Sequence, residues 1–303
     1  MKLALKVDVD TWRGTREGVP RLARLLELHG AGATFLFSLG PDHTGRALRR
    51  IFRPGFFSKV SRTSVLRHYG LQTLLYGILL PGPDIGRRGA GVMRSVRAAG
   101  FEAGIHCWDH VRWQDKVAEA DADWTEREMQ LAAERFAEIF EVKSQVHGAA
   151  GWQFNRHAAW FEERSFDYAS DTRGTGPFRP LWDGVLIGCP QLPTTLPTLD
   201  ELIGLDGTDE NNVASRLLAL TEKPRSHVFT AHAELEGGDW LKILDALLSG
   251  WRAQGYEMVS LGSLYSSIDL ARLPRHEVVY GEIPGRSGRV AMQAAMQTEE
   301  SNP

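Results

Sequence analysis

Residues 3–9, Leu-Ala-Leu-Lys-Val-Asp-Val, alternate enough apolar side chains to form a short buried strand, which ends in Asp8 and, one residue further, Asp10. Positions i and i+2 of a strand project to the same side, so the two carboxylates share a face. Two like charges side by side are costly unless a cation lies between or beside them. The usual answer is a metal ion, and the sequence offers further ligands for one. His106 and His110 are four residues apart, and His232 follows Thr230-Ala231 at the end of another apolar run. With ten histidines in the chain, one such spacing arises readily by chance. The combination with Asp8, Asp10 and His232 at strand ends is what favours a site.

Apolar runs and helical periodicities alternate along the 303 residues. Strands are expected over 3–9, 33–38, 101–105, 142–146, 166–169, 185–187, 226–230 and 256–259. Helices are expected over 17–28, 91–99, 124–140, 155–164, 212–220 and 240–253. Such alternation specifies a parallel sheet, open or closed into a barrel. Asp8, Asp10, His106, Asp171 and His232 each fall at the C-terminal end of an expected strand. That edge is where parallel α/β folds build active sites. The last residues read as a tail, with a weak helix over 292–300.

The bulk properties exclude several classes. A net charge of −3 argues against a global nucleic-acid binder, and no nucleic acid or obligate protein partner is inferred. Two cysteines, Cys107 and Cys189, do not make a disulfide scaffold, so a reducing compartment is expected. The N-terminus reaches Asp8 and Asp10 before any useful apolar length, which is no signal peptide. The longest apolar run, 74–80, is too short to span a bilayer. The expectation is a cytoplasmic protein, free or held at a membrane surface.

A carboxylate and two imidazoles with an open position for water form a common catalytic metal arrangement. Asp10, His106 and His110 are the expected ligands. Asp8, just off the metal, is the expected base for the water proton, and His232 the acid for the leaving amine. Asp171 either orients a histidine or caps a loop. Lys6 has the parity of Asp8 and Asp10 and reads as a structural counter-charge. Cys107 reads as packing, with zinc ligation the alternative.

The series Asp8-Val-Asp10, His106-x-x-x-His110, Asp171 and Ala-His232 resembles the motifs of the polysaccharide deacetylase superfamily (NodB-type, carbohydrate esterase family 4). The resemblance implies a distorted (β/α) barrel, Asp-His-His binding of one divalent ion, an aspartate base and a histidine acid. Zinc, cobalt and manganese all suit that donor set. Longer words are similar to one branch of the superfamily. They include Asp8-Val-Asp-Thr-Trp-Arg-Gly-Thr-Arg-Glu-Gly-Val-Pro-Arg-Leu22, Ala149-Ala-Gly-Trp152, Ser170-Asp-Thr-Arg-Gly174 and His232-Ala-Glu-Leu-Glu-Gly237. That branch removes formyl from a formamido-arabinose carried on undecaprenyl phosphate, for lipid A modification. The resemblance runs to about residue 288, implying one domain over 1–288 and a tail over 289–303. It places Asp171, Arg173, Arg179, Trp152 and Glu234 in contact with the metal ligands or the substrate. One departure stands out: the superfamily's arginine motif near 148–155 is here Gly-Ala-Ala-Gly-Trp-Gln-Phe-Asn. An arginine steadying Asp8 would have to come from elsewhere, and Arg173 and Arg179 are candidates.

Residues 43–83, an insertion after the second strand, contain seven Arg and Lys and no Asp or Glu. Arg49, Arg50, Arg53, Lys59 and Arg62 are interleaved with Phe56 and Phe57, and the apolar patch 71–80 follows. Basic residues mixed with aromatics suit an interfacial segment on an anionic membrane; the alternative is a hairpin with a solvated basic face. A polyprenyl-phosphate-linked sugar has its head group at such a surface. Trp12, Trp108, Trp113, Trp152 and Trp182 all lie near motif residues, and one or two could form a sugar subsite. Two other functions fit the same residues: a deacetylase acting on another sugar, and a catalytically silent sugar-binding module.

Overall fold

The computed structural model describes residues 1–47 and 65–295, with side chains described throughout these except at 65–69. Its first five strands are β1 (Lys2–Val9), β2 (Thr34–Ser38), β3 (Glu102–Cys107), β4 (Val146–His147) and β5 (Tyr168–Ala169). Then follow β6 (Arg179–Trp182), β7 (Val185–Leu186), β8 (His227–His232), β9 (Glu257–Val259), β10 (Arg275–Glu282) and β11 (Arg289–Gln293). The main sheet is parallel in the order β5-β4-β3-β2-β1-β8, with β9 pairing the first residues of β1. Residues 190–196 close the gap between its edges. Leu192 N donates to Ala169 O (2.7 Å) and Thr195 N to Val228 O (3.0 Å). The result is the distorted barrel, completed by irregular chain rather than by an eighth regular strand.

The period-2 alternation of β1 divides its side chains between two cores. Leu3, Leu5, Val7 and Val9 join Phe35, Phe37 and Ile105 in the core facing the helices. Ala4 joins Leu36, Val146, Tyr168 and Val228 in the smaller core on the opposite face. Lys6 and Asp8 continue that second face, stacking polar groups above an apolar floor. The helices Val19–Leu28, Ile85–Ala98, Ala122–Phe140, Arg156–Ser165 and Leu241–Ala253 each bury an apolar side. The helix expected over 91–99 starts earlier, at an Asp84 cap whose side chain accepts from Arg87 N. Gly86 and Gly89 conceal that first turn in the sequence. A Cβ at Gly86 would lie 2.5 Å from Leu39 O, so the glycine is there for close packing.

Four expectations are corrected. Only Val146 of the strand over 142–146 is extended, because Ser144 Oγ turns the chain by donating to Val146 O. The strand over 185–187 is β7, outside the main sheet. It belongs to a second sheet, β11-β10-β6-β7, in which β6 and β10 are parallel. The tail expected from 289 with a helix over 292–300 begins instead as β11, antiparallel to β10 and bonded to the loop after β5 through Gln293 N to Arg173 O (2.8 Å). His106 and His232 lie within β3 and β8 rather than just beyond them.

The base of the 43–83 insertion is pinned by Asp42 N donating to Pro83 O (2.9 Å) and Gly45 N to Tyr76 O (3.0 Å). Leu71, Ile78, Leu79 and Leu80 are exposed at its returning end. Arg49, Arg50, Arg53, Phe56, Phe57, Lys59 and Arg62 lie outside the described residues. Among the described residues no helix is long and apolar enough to cross a membrane.

Candidate metal centre and active site

The C-terminal edge of the main sheet brings Asp10, His106 and His110 together. His106 comes from β3 and His110 opens the helix His110–Lys116, whose Asp109 cap accepts from Arg112 N (3.1 Å). His106 Nε2 lies 3.2 Å from Asp10 Oδ1, and His110 Nε2 lies 3.3 Å from Asp10 Oδ2. His106 Nδ1 sits 2.6 Å from Gly148 O. A carbonyl only accepts, so Nδ1 carries the hydrogen and Nε2 offers its lone pair to the cluster. Asp10 Oδ1 is buried with no hydrogen-bond donor among the described residues. Burial disfavours the Asp10 anion, but His110, His106 and His232 outweigh it and hold the carboxyl well below the usual range. Two imidazole nitrogens and an undonated carboxylate oxygen, all within 4.8 Å of one another, are a donor set that fits a divalent ion.

Asp8 stands beside this cluster and outside it. Its Oδ2 is 3.6 Å from Lys6 Nζ, and its Oδ1 is buried without a hydrogen-bond partner among the described residues. Lys6 is wholly buried and donates to Ser170 O (2.9 Å). The cation next to Asp8 is therefore Lys6, two residues back on the same strand face, and not Arg173 or Arg179. Arg173 is engaged by Glu201 Oε1 (2.6 Å) and Leu196 O (3.0 Å). Arg179 sits on β6, in the second sheet, and makes no ion pair with Asp8 among the described residues.

His232 is in register with Asp8 across β1 and β8, so both point to the same side. Its Nδ1 is buried without a hydrogen-bond partner among the described residues. Burial pushes its pKa down, but Asp200, Asp10, Glu236 and Asp8 outweigh that and raise it to about 8. Glu236 Oε2 accepts from His232 N (2.7 Å), and burial pushes that carboxyl up to about 7. Glu234 Oε1 accepts from Asp10 N (3.1 Å), Thr11 N (2.9 Å) and Thr11 Oγ1 (2.8 Å), fixing the turn that aims Asp10. Burial and the Asp10 charge push Glu234 up to about 8.

The histidine that Asp171 meets is His147, which the sequence reading did not single out. His147 Nδ1 lies 2.9 Å from Asp171 Oδ1 and 2.8 Å from Glu162 Oε1. Burial pushes His147 down, yet Asp171 and Glu162 bring it up to about 9. Gln191 Nε2 and Ala149 N also donate to Asp171, each at 2.7 Å. The trio is a satisfied hydrogen-bond cluster that braces the 148–152 turn. Asp171 thus reaches the metal ligands at one remove, through the Gly148 carbonyl that fixes His106. A Cβ at Gly148 would lie 2.3 Å from Leu36 Cδ1, so a side chain there requires Leu36 to shift.

Of the five tryptophans near the motifs, Trp152 is buried with its ring 6.4 Å from that of His232. Trp113 packs on Trp124 and His147, Trp182 on Phe154, Trp108 under Arg135 and Trp12 under Arg16. Cys107 and Cys189 are free and buried, with burial raising both thiols well above their ordinary value. Cys107 Sγ contacts Ser38 Oγ at 3.4 Å, as a packing group.

No family model matches the chain. A curated protein of Shewanella sediminis, named "Probable 4-deoxy-4-formamido-L-arabinose-phosphoundecaprenol deformylase ArnD", is 34% identical over 99% of this chain and 97% of its own length. A protein of the same name from Wigglesworthia glossinidia brevipalpis is 29% identical over 92% of this chain and 98% of its own. Among solved structures, a "putative polysaccharide deacetylase" of Mycobacterium smegmatis superposes with a TM-score of 0.60 at 15% identity, covering 93% of this chain and 95% of that one. A "probable Polysaccharide deacetylase" of Pseudomonas aeruginosa PAO1 gives 0.58 at 13% identity, over 87% and 90%. At these identities the two structures establish the shared polysaccharide deacetylase fold.

Proposed function

The chain belongs to the family of 4-deoxy-4-formamido-L-arabinose-phosphoundecaprenol deformylases, and on that premise we propose that it hydrolyses the N-formyl amide of this lipid-linked sugar. Water is consumed, and the products are formate and the lipid-linked amino sugar. The observation that carries the reading is the grouping of Asp8 and His232 around the Asp10–His106–His110 cluster on one sheet edge. Asp10, His106 and His110 would hold a divalent ion of the zinc, cobalt or manganese kind, which when bound would supply Lewis acidity toward the formyl carbonyl and water.

The chain's own groups do the rest. Asp8 is outside the ligand set and has an undonated buried oxygen, so it accepts the water proton. Lys6 Nζ stands 3.6 Å from that carboxylate as its counter-charge. His232 holds a proton up to about pH 8 and delivers it to the departing amine nitrogen. Glu234 and Gly148 keep Asp10 and His106 aimed.

The same reading places the enzyme at the cytoplasmic surface of the inner membrane, because the polyprenyl carrier is buried in lipid. The basic insertion and the exposed Leu71, Ile78, Leu79 and Leu80 support this, since cations attract anionic head groups and apolar side chains enter the interface.

The decisive assay is formate release from the lipid-linked substrate in anionic vesicles, with and without chelator. Release that chelator abolishes and a divalent ion restores is the expected result. Deacetylation of an oligosaccharide with no deformylation would overturn the proposal. In co-sedimentation with the same vesicles, changing Phe56 and Phe57 to serine should free the protein; unchanged binding would sink the docking role.

A further inference from the structure

Trp152 lies in the left-handed region at φ 54°, directly after Gly151 at φ 63°. A bulky residue holds that conformation only when its surroundings impose it. What surrounds its ring is cationic: Arg286 Cζ at 4.5 Å, Arg173 Cζ at 4.9 Å and Lys6 Nζ at 5.5 Å from the ring centre. The same ring meets His232 on its edge. The cations gather, in other words, beside the candidate active site.

Two of the three are already committed. Lys6 serves Asp8 and Ser170, and Arg173 serves Glu201 and Leu196. Arg286 is different. It comes from the turn between β10 and β11, which is pressed against the chain at Glu201: a Cβ at Gly285 would lie 2.0 Å from Glu201 O. Its side chain is only 14% exposed. Of the five N–H donors of a guanidinium, one reaches an acceptor at hydrogen-bond distance among the described residues, Nη2 to Gly151 O at 3.2 Å. Its nearest carboxylate oxygen, Glu201 Oε1, is 3.8 Å away and already accepts from Arg173.

We infer that Arg286, set on the Trp152 ring beside Arg173, is the recognition site for the glycosyl phosphodiester of the substrate. This rests on the proposed function and adds its specificity element. In the lipid-linked sugar the C4 nitrogen and the anomeric phosphate lie at opposite ends of one pyranose ring. With the formamide against Asp10, His106 and His110, the phosphodiester falls a sugar's width away. The Trp152 ring joins the two places, with the His232 ring at its edge and Arg286 Cζ 4.5 Å from its centre, and the planar fork of Arg286 matches two phosphate oxygens.

The test compares kcat/KM on the formamido-arabinose phosphodiester of a short polyprenol with that on the methyl glycoside of the same sugar. The readout is the preference ratio, for wild type, Arg286→Gln and Arg286→Lys. A charge-assisted pair of this kind is worth about a 10- to 100-fold effect. Wild type should prefer the phosphodiester; R286Q should lower the ratio by that factor, chiefly through KM; R286K should fall between. Equal losses on both substrates, or an unchanged ratio, would overturn the inference while leaving the deformylase reading intact. Failure of wild type to act on either sugar would instead overturn the function itself.

Discussion

Asp8→Asn should lower kcat by about 10²- to 10⁴-fold while leaving the divalent ion bound. The two halves of that result follow from one geometric fact. Asp8 is not among the three residues whose ligand atoms converge, yet its Oδ1 is buried beside them without a donor. An amide of the same shape leaves the cluster intact but cannot take the water proton. Metal analysis of the purified variant, alongside its kcat, checks both halves, and loss of the ion would make Asp8 a ligand rather than the base. Asp10→Asn should behave oppositely, losing ion and activity together. The pH profile of the wild type carries the complementary signature. His232 acts as an acid and must be protonated, and its pKa is raised from 6.5 to about 8. The rate should therefore hold through neutral pH and fall as pH rises through about 8.

Asp8, Asp10, His106, His110 and His232 were legible in the sequence because strand geometry converts spacing into direction. Residues two apart on β1 share a face, and strand ends of a parallel sheet share an edge. The same parity pointed to Lys6 as the counter-charge, and it lies 3.6 Å from Asp8. Partners fixed by long-range packing were not legible. Asp171 meets His147 because β4 and β5 are adjacent, a pairing that no local pattern announces. Arg286 reaches Gly151 across 135 residues, from a turn whose sequence, Ile-Pro-Gly-Arg-Ser-Gly, reads as an ordinary loop.

The second sheet was hidden for a related reason. β6 and β7 are four and two residues long, too short to establish a period, and β7 exposes both its side chains. β10 and β11 are mostly half-exposed, so their alternation is weak, and residues after 289 look like a fraying end. The pairing of β10 with β6 and the bonds of β11 to Arg173 make that hairpin part of the fold, and they carry Arg286 to Trp152. The charge pattern of the insertion, by contrast, was plain from the absence of any acid over 43–83.

Lys6→Met should destabilise the fold by about 3–5 kcal/mol, the cost of leaving a buried charge without its partner. The residue is wholly buried, on the face of β1 that carries Ala4 into the smaller apolar core. Methionine fits the volume, so the loss is electrostatic rather than a cavity. At about 2–4 °C per kcal/mol for a domain of this size, the midpoint of thermal unfolding should fall on the order of 10 °C. The double variant Lys6→Met/Asp8→Asn separates the possible origins. A neutral pair has little uncompensated charge, so it should regain much of the stability that Lys6→Met alone loses, although activity stays lost for want of a base. If the double variant is instead no more stable than the single one, Lys6 holds the fold through Ser170 and Trp152.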